Sequence, residues 1–136
     1  TPLQIARVYA AIANGGRLVH PFLCDRAYRE PTGLPVGREK LATVQKGLEY
    51  VVRKGTGARA GQFGVTIAGK TGTAQNAHGD DHALFAGYAP ADDPRFVAVA
   101  VVEAGKHGSS VASPIVGEIL AHILSHPTGE GGDRGD

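Results

Sequence analysis

The sequence predicts a mixed α/β fold of α+β character, a three-stranded antiparallel sheet with flanking helices. Three observations carry this. Apolar residues recur at helical spacing in three segments, about 1–14, 38–53 and 113–125. Three strand-like stretches, 65–75, 83–89 and 95–103, follow one another with no helical pattern between them. Their links are short, and sequential strands on short links pair antiparallel.

The first helix opens on Thr1, Pro2 and Gln4, which suit the cap, the first helical position and the third. Leu3, Ala6, Ala10 and Ala13 share one face, and Ile5, Val8, Tyr9 and Ile12 another. Apolar residues on both sides predict a largely buried helix. Asn14-Gly15-Gly16 ends it with residues that accept a left-handed cap. A Pro- and Gly-rich connection follows to Gly37, with a short strand expected around Leu18 to Cys24. Leu41, Val44, Leu48 and Val51 mark the second helix, which Gly55-Thr56-Gly57 breaks. Pro90-Ala91-Asp92-Asp93-Pro94 is the turn between the second and third strands. Ser113 and Pro114 are read as cap and first position of the last helix, and Pro127 as its stop. We expect residues 1–126 to form one structural piece and the charged, Gly-rich 127–136 to be a disordered tail.

Composition narrows the function classes. Hydrophobic residues make up 42% and charged residues 20%, as in ordinary globular proteins. The longest strongly apolar run, Phe96 to Val102, is far too short to span a bilayer. Cys24 is the only cysteine, so no internal disulfide forms, and a buried structural thiol is expected there. Residues 1–75 hold 11 Lys/Arg against 4 Asp/Glu, and residues 76–136 hold 3 against 9. The basic residues are scattered, with few aromatics between them, so nucleic-acid binding is not expected. A chain without methionine that opens on a helix cap is expected to be part of something longer.

The chemistry concentrates in Ala68-Gly69-Lys70-Thr71-Gly72-Thr73-Ala74-Gln75. Glycines weaken a strand and need a reason, and close approach of another backbone is one. A peptide lying along such an edge would pair with its N–H and C=O groups. Lys70, Thr71 and Thr73 together can hold a carboxylate by charge-assisted hydrogen bonds. The Thr73 N–H can stabilise an oxyanion during acyl transfer. Taken alone, the segment equally fits an ordinary strand with an exposed lysine.

Three segments, in order, resemble the class B penicillin-binding proteins. They are Thr1-Pro2-Leu3-Gln4-Ile5-Ala6-Arg7 through Ala13-Asn14-Gly15-Gly16, then Ala68 to Gln75 with its Lys-Thr-Gly motif, then Ala86-Gly87-Tyr88-Ala89-Pro90-Ala91-Asp92-Asp93-Pro94. The resemblance covers about residues 1–125 and implies the C-terminal part of a penicillin-binding transpeptidase or serine β-lactamase-like fold. It implies that the whole protein is a peptidoglycan D,D-transpeptidase, with no metal and no cofactor. Lys70 would join the active-site hydrogen-bond network. Thr71 and Thr73 would bind the carboxylate of a stem peptide or a β-lactam. The Thr73 N–H would form half of an oxyanion hole, and Gly72 would keep the strand clear. Implied partners are peptidoglycan stem peptides, β-lactams, the upstream remainder of the same protein and a cell-wall synthesis complex. The implied location is the outer face of the bacterial cell membrane, with any anchor outside this sequence. The stretch Asp80-Asp81-His82-Ala83-Leu84-Phe85 resembles the cell-elongation group more than the septum-forming one.

One departure from the pattern carries weight. The family nucleophile is the serine of Ser-x-x-Lys, and none of Ser109, Ser110, Ser113 and Ser125 has a lysine three residues later. No Ser-x-Asn triplet exists either. Acyl transfer needs an activated nucleophile, so this chain alone is expected to be inactive. The alternatives are a penicillin sensor or non-catalytic binding module of the same fold, or a β-lactamase relative.

Other signals are weaker. Gly55-Thr56-Gly57-Ala58-Arg59-Ala60 spells a dinucleotide fingerprint, but a helix precedes it and a strand follows, the reverse of the required order. It reads as a flexible connection. His78, Asp80, Asp81 and His82 lie too close together to close a four-ligand metal site and read as a solvated loop at the cleft. Arg134-Gly135-Asp136 is taken as coincidence. His122 and His126 are expected to be exposed near a helix C-terminus, where positive charge is favoured.

Overall fold

In a computed structural model, residues 1–24 and 28–126 are described. Helix α1 (Pro2–Ala13) starts with the expected capping box: the Gln4 N–H donates to Thr1 Oγ1 at 3.3 Å, and the Thr1 amino group donates to Gln4 Oε1 at 2.7 Å. It ends in a Schellman pattern, with Gly16 N–H to the Ala11 carbonyl at 2.7 Å and Gly15 N–H to that of Ile12 at 3.5 Å. Gly15 and Gly16 have φ of 79° and 97°, which glycine adopts without steric cost.

The Asn14 side chain pairs with both backbone groups of Arg17 and so starts β1 (Arg17–Leu18). This strand pairs antiparallel with β2 (Thr32–Gly33). The strand expected from Leu18 to Cys24 is therefore shorter, and its partner carries no alternating pattern that would reveal it. Helix α2 (Arg38–Lys54) has Glu39 in its first turn and Arg53 and Lys54 in its last, each complementing the helix dipole. Gln45 Nε2 donates to the Ile12 carbonyl at 2.7 Å, which ties α2 to the end of α1.

The 55–60 connection is no flexible link. A 3-10 helix, Ala58–Phe63, turns the chain and ends on left-handed Gly64. Ala60 is fully buried against Gly117, where a Cβ would stand 2.3 Å from the Ala60 carbonyl oxygen.

The expected meander follows: β3 (Ala68–Ala74), β4 (His82–Ala89) and β5 (Phe96–Val102), antiparallel, with β4 in the middle. In the β3–β4 register Lys70 faces Ala86, Thr71 faces Phe85 and Thr73 faces Ala83. Helix α3 (Ala112–Ser125) closes the core with Val116 and Leu120 against Phe85, Ala83, Ala89, Val52 and Ile67.

Three further expectations change. Ser113 does not cap α3. Val111 precedes the helix, and Ser113 sits buried in its first turn, its Oγ donating to the Ser109 carbonyl at 2.8 Å. Cys24 is exposed rather than buried. Helix α1 buries only Ala11, while Leu3 and Val8 remain 59% and 54% exposed. The other apolar residues of both faces, among them Ile5, Ala6, Tyr9 and Ile12, are half-buried. The tail expectation for 127–136 lies outside the described residues. His122 and His126 are exposed near the end of α3, with their rings stacked 4.4 Å apart.

Tyr88 is the largest fully buried side chain, and its hydroxyl has no partner among the described residues. Burial, with help from Glu49 and Tyr9, pushes its phenol up to about 12. The folded value thus lies above the unfolded one near 10. Its stabilising contribution is complete below pH 10 and is lost as pH rises towards about 12. We expect Tyr88→Phe to be neutral or stabilising by about 1 kcal/mol at neutral pH, since it removes an unpaired buried hydroxyl. It should also remove an alkaline loss on the order of 2 kcal/mol. Urea midpoints at pH 7 and 11 check both. A clear loss of stability at pH 7 would mean that the hydroxyl has a partner.

Candidate active site

Strand β3 changes character along its length. Ala68 and Gly69 are buried, while Lys70, Thr73 and Ala74 are exposed. Its outer edge has no strand neighbour among the described residues, so its second half presents an open strand edge there.

The two glycines sit in different surroundings. A Cβ at Gly69 would stand 2.6 Å from Phe85 Cζ and 2.7 Å from the Ala86 oxygen, so Gly69 makes room for the core. A Cβ at Gly72 would meet only the Leu84 Cβ, at 3.3 Å, and the tight position is Gly108. A Cβ on Gly108 would lie 2.5 Å from the Gly72 oxygen and 2.3 Å from the Leu84 oxygen. Gly108 is held there by α3, through the Ser113 N–H to its carbonyl at 2.9 Å.

These contacts fix the phase of the ladder. The Gly72 N and O and the Leu84 O lie together beneath Gly108, as in a hydrogen-bonded antiparallel pair. Backbone groups of the neighbouring residues then alternate outward. Thr71 and Thr73 both turn their N–H and C=O to the bare edge. Lys70 Nζ supports this, since it curls round to the Thr71 carbonyl at 2.9 Å.

Side chains converge on the same edge. Lys70 Nζ donates to Thr71 Oγ1 at 3.3 Å, and Thr71 Oγ1 is 2.8 Å from Thr56 Oγ1. One ammonium, two linked hydroxyls and outward strand amides suit a carboxylate-bearing peptide. A cavity of about 130 Å³ adjoins them, lined among others by Ile5 and Tyr9 of α1 with Lys70, Thr71 and Gly72. Burial raises the Tyr9 phenol above its ordinary value, which keeps it neutral. A larger hollow of about 320 Å³, by Glu49, Arg53 and Ile67, is lined by neither Lys70 nor Thr71.

The structure brings Lys70 and Thr71 together and sets Thr73 on the same edge. Sequence reading missed Thr56, Gly108 and the α1 wall. The Gly-Thr-Gly run was visible but pointed to another chemistry, and nothing local marks Gly108. In the 76–82 loop, Asp81 accepts from the Asn76 N–H at 3.2 Å, His82 Nδ1 accepts from the Ala104 N–H at 3.1 Å, and Asp80 pairs with Lys106 at 3.6 Å. Among the described residues no group of three or more His, Cys, Asp or Glu is placed to hold a metal. No helix among them is long and apolar enough to cross a membrane.

Comparison with known proteins bears on the same stretch. Residues 1–121 match the model of the penicillin binding protein transpeptidase domain. The chain is 38% identical to the peptidoglycan D,D-transpeptidase FtsI of Escherichia coli, over 91% of this chain and 23% of that protein. It is 33% identical to stage V sporulation protein D of Bacillus subtilis, with the same two coverages. Among solved structures it resembles Pseudomonas aeruginosa PBP2, captured with WCK 5153, at 34% identity and a TM-score of 0.79, over 96% of this chain and 32% of that one. Helicobacter pylori PBP2, in complex with MreC, matches at 25% identity and a TM-score of 0.80, over 94% and 25%. The chain thus spans about a quarter to a third of these relatives.

Proposed function

The chain belongs to the penicillin-binding protein transpeptidase family, on its class B branch, and from that premise we propose that it is the substrate-strand portion of a peptidoglycan D,D-transpeptidase acting by serine acyl transfer. The convergence of Lys70, Thr71 and the outward edge of β3 carries the reading. In the whole enzyme a serine outside this sequence attacks the donor stem-peptide carbonyl. The terminal residue leaves with a proton, and an acyl ester remains on the serine. The amine of a second stem peptide then attacks the ester, forms the cross-link and restores the serine hydroxyl.

This chain's residues serve both steps. Lys70 holds charge and hydrogen bonds at the reacting end, and Thr71 and Thr73 take the donor carboxylate. The outward Thr73 N–H supplies one oxyanion donor where negative charge develops. Gly72 leaves room for the bound peptide. A β-lactam, with its carboxylate beside a reactive carbonyl, fits the same edge. The elongation-type reading draws support from the Asp80–Phe85 stretch and from the likeness to PBP2. The MreC complex of one such relative supports a cell-wall assembly partner, and a place on the outer face of the membrane belongs to the same reading.

Fluorescent penicillin on a denaturing gel tests the proposal. A longer chain extended upstream of Thr1 should label covalently, and residues 1–136 alone should not. Labelling of neither would favour a non-catalytic module. Labelling of the short chain would reveal a nucleophile within it and overturn the proposal.

A further inference from the structure

We infer that Thr56 is a positioning residue for the Lys70–Thr71 carboxylate site, an inference that rests on the transpeptidase reading. Thr56 lies fifteen residues before Thr71 at the end of α2, yet their hydroxyl oxygens are 2.8 Å apart. Its placement is rigid. Gly55 and Gly57 both donate their N–H to the Val51 carbonyl at 3.0 Å. A Cβ on Gly55 would stand 2.9 Å from that same oxygen, and one on Gly57 would stand 3.2 Å from both Phe85 Cε2 and Val51 Cγ1. Glycine on each side lets the turn press Thr56 against β3. Thr56 itself is exposed.

Donor counting gives the role. A lysine ammonium only donates, so Thr71 Oγ1 accepts from Lys70 at 3.3 Å. The Thr71 hydrogen is then free to go to Thr56 Oγ1 or to an arriving carboxylate. With no ligand, Thr71 donates to Thr56. When a carboxylate binds, Thr71 turns its hydrogen to the ligand, and Thr56 reverses to donate into Thr71. The Thr71 oxygen thus keeps a fixed position, and its hydrogen always has an acceptor. Thr56 also replaces solvent at the back of the site, so Thr71 does not exchange a water partner as ligand arrives. Thr56 acts through Thr71 and needs no contact with the reacting carbonyl.

The test uses the longer chain with its nucleophile and measures the second-order rate of penicillin acylation. Thr56→Val should slow acylation about 5- to 20-fold, the loss of one hydrogen bond at a charged network. Thr56→Ser should stay within about twofold of the parent, because it restores the hydroxyl. Adding Thr56→Val to Thr71→Val should slow the enzyme no further than Thr71→Val alone, which a merely structural role would not produce. Thr56→Ala serves the same cycle should the valine variant fold poorly. Parent-like rates in Thr56→Val, a Thr56→Ser as slow as the valine variant, or independent multiplication of the two effects would each overturn the role. An unreactive parent would overturn the transpeptidase reading and this role together.

Discussion

Lys70→Ala in the longer chain is expected to slow acylation by penicillin about 10²- to 10³-fold while leaving the melting temperature near that of the parent. The side chain is exposed and, among the described residues, bonds only to the adjacent Thr71, through its carbonyl at 2.9 Å and its hydroxyl at 3.3 Å. Little packing is lost on truncation, so the fold should tolerate it. The site, in contrast, loses the ammonium that this strand supplies. Lys70→Arg is expected to recover little of the rate, because a planar fork cannot follow a compact ammonium into the same geometry. Stopped-flow acylation at several penicillin concentrations checks this. A rate within about threefold of the parent would remove Lys70 from the machinery.

Gly108→Ala should do the reverse and damage fold and site together. The added methyl meets the Leu84 oxygen at 2.3 Å and the Gly72 oxygen at 2.5 Å, and both are backbone atoms of the β3–β4 ladder. Neither can swing aside as a flexible side chain would. Either the 105–110 segment lifts and drags the start of α3 with it, or β3 and β4 deform at Gly72. A loss of about 2–4 kcal/mol is expected, with acylation falling as the Thr71–Thr73 edge shifts. Gly47→Ala is the control. It lies in α2 with nothing within 4 Å of its added methyl, and alanine is the better helix former by about 0.5–1 kcal/mol. Denaturant midpoints of the two variants should therefore move in opposite directions. Equal midpoints for Gly108→Ala and the parent would mean that this close contact does not hold in solution.

Much of the fold was legible because its signals are local. Thr1, Pro2 and Gln4 cap α1 within one turn, and Asn14-Gly15-Gly16 closes it within three residues. The last two strands of the meander run largely apolar over seven or eight residues, with a Pro- and Asp-rich turn between them. Errors arose where local chemistry had a competitor. Ser113 offers a good cap, but the turn from His107 to Val111 already starts the helix, and the hydroxyl is spent on Ser109. Residues 58–63 lack a clear helical period yet form a 3-10 helix, because Ala60 must tuck beneath Gly117.

Family membership and the identity of the charged strand were determined by the sequence itself, since Lys70, Thr71, Gly72 and Thr73 are adjacent and their pattern survives without coordinates. The site's partners were decided only by the tertiary structure. Thr56 reaches Thr71 across fifteen residues, and Gly108 reaches Gly72 across thirty-six. Ile5 and Tyr9 arrive from the other end of the chain. Caps, turns and periodicity are set by interactions a few residues apart, and so can be read along the chain. Which hydroxyl meets which, and which strand edge stays bare, depend on how separate elements pack.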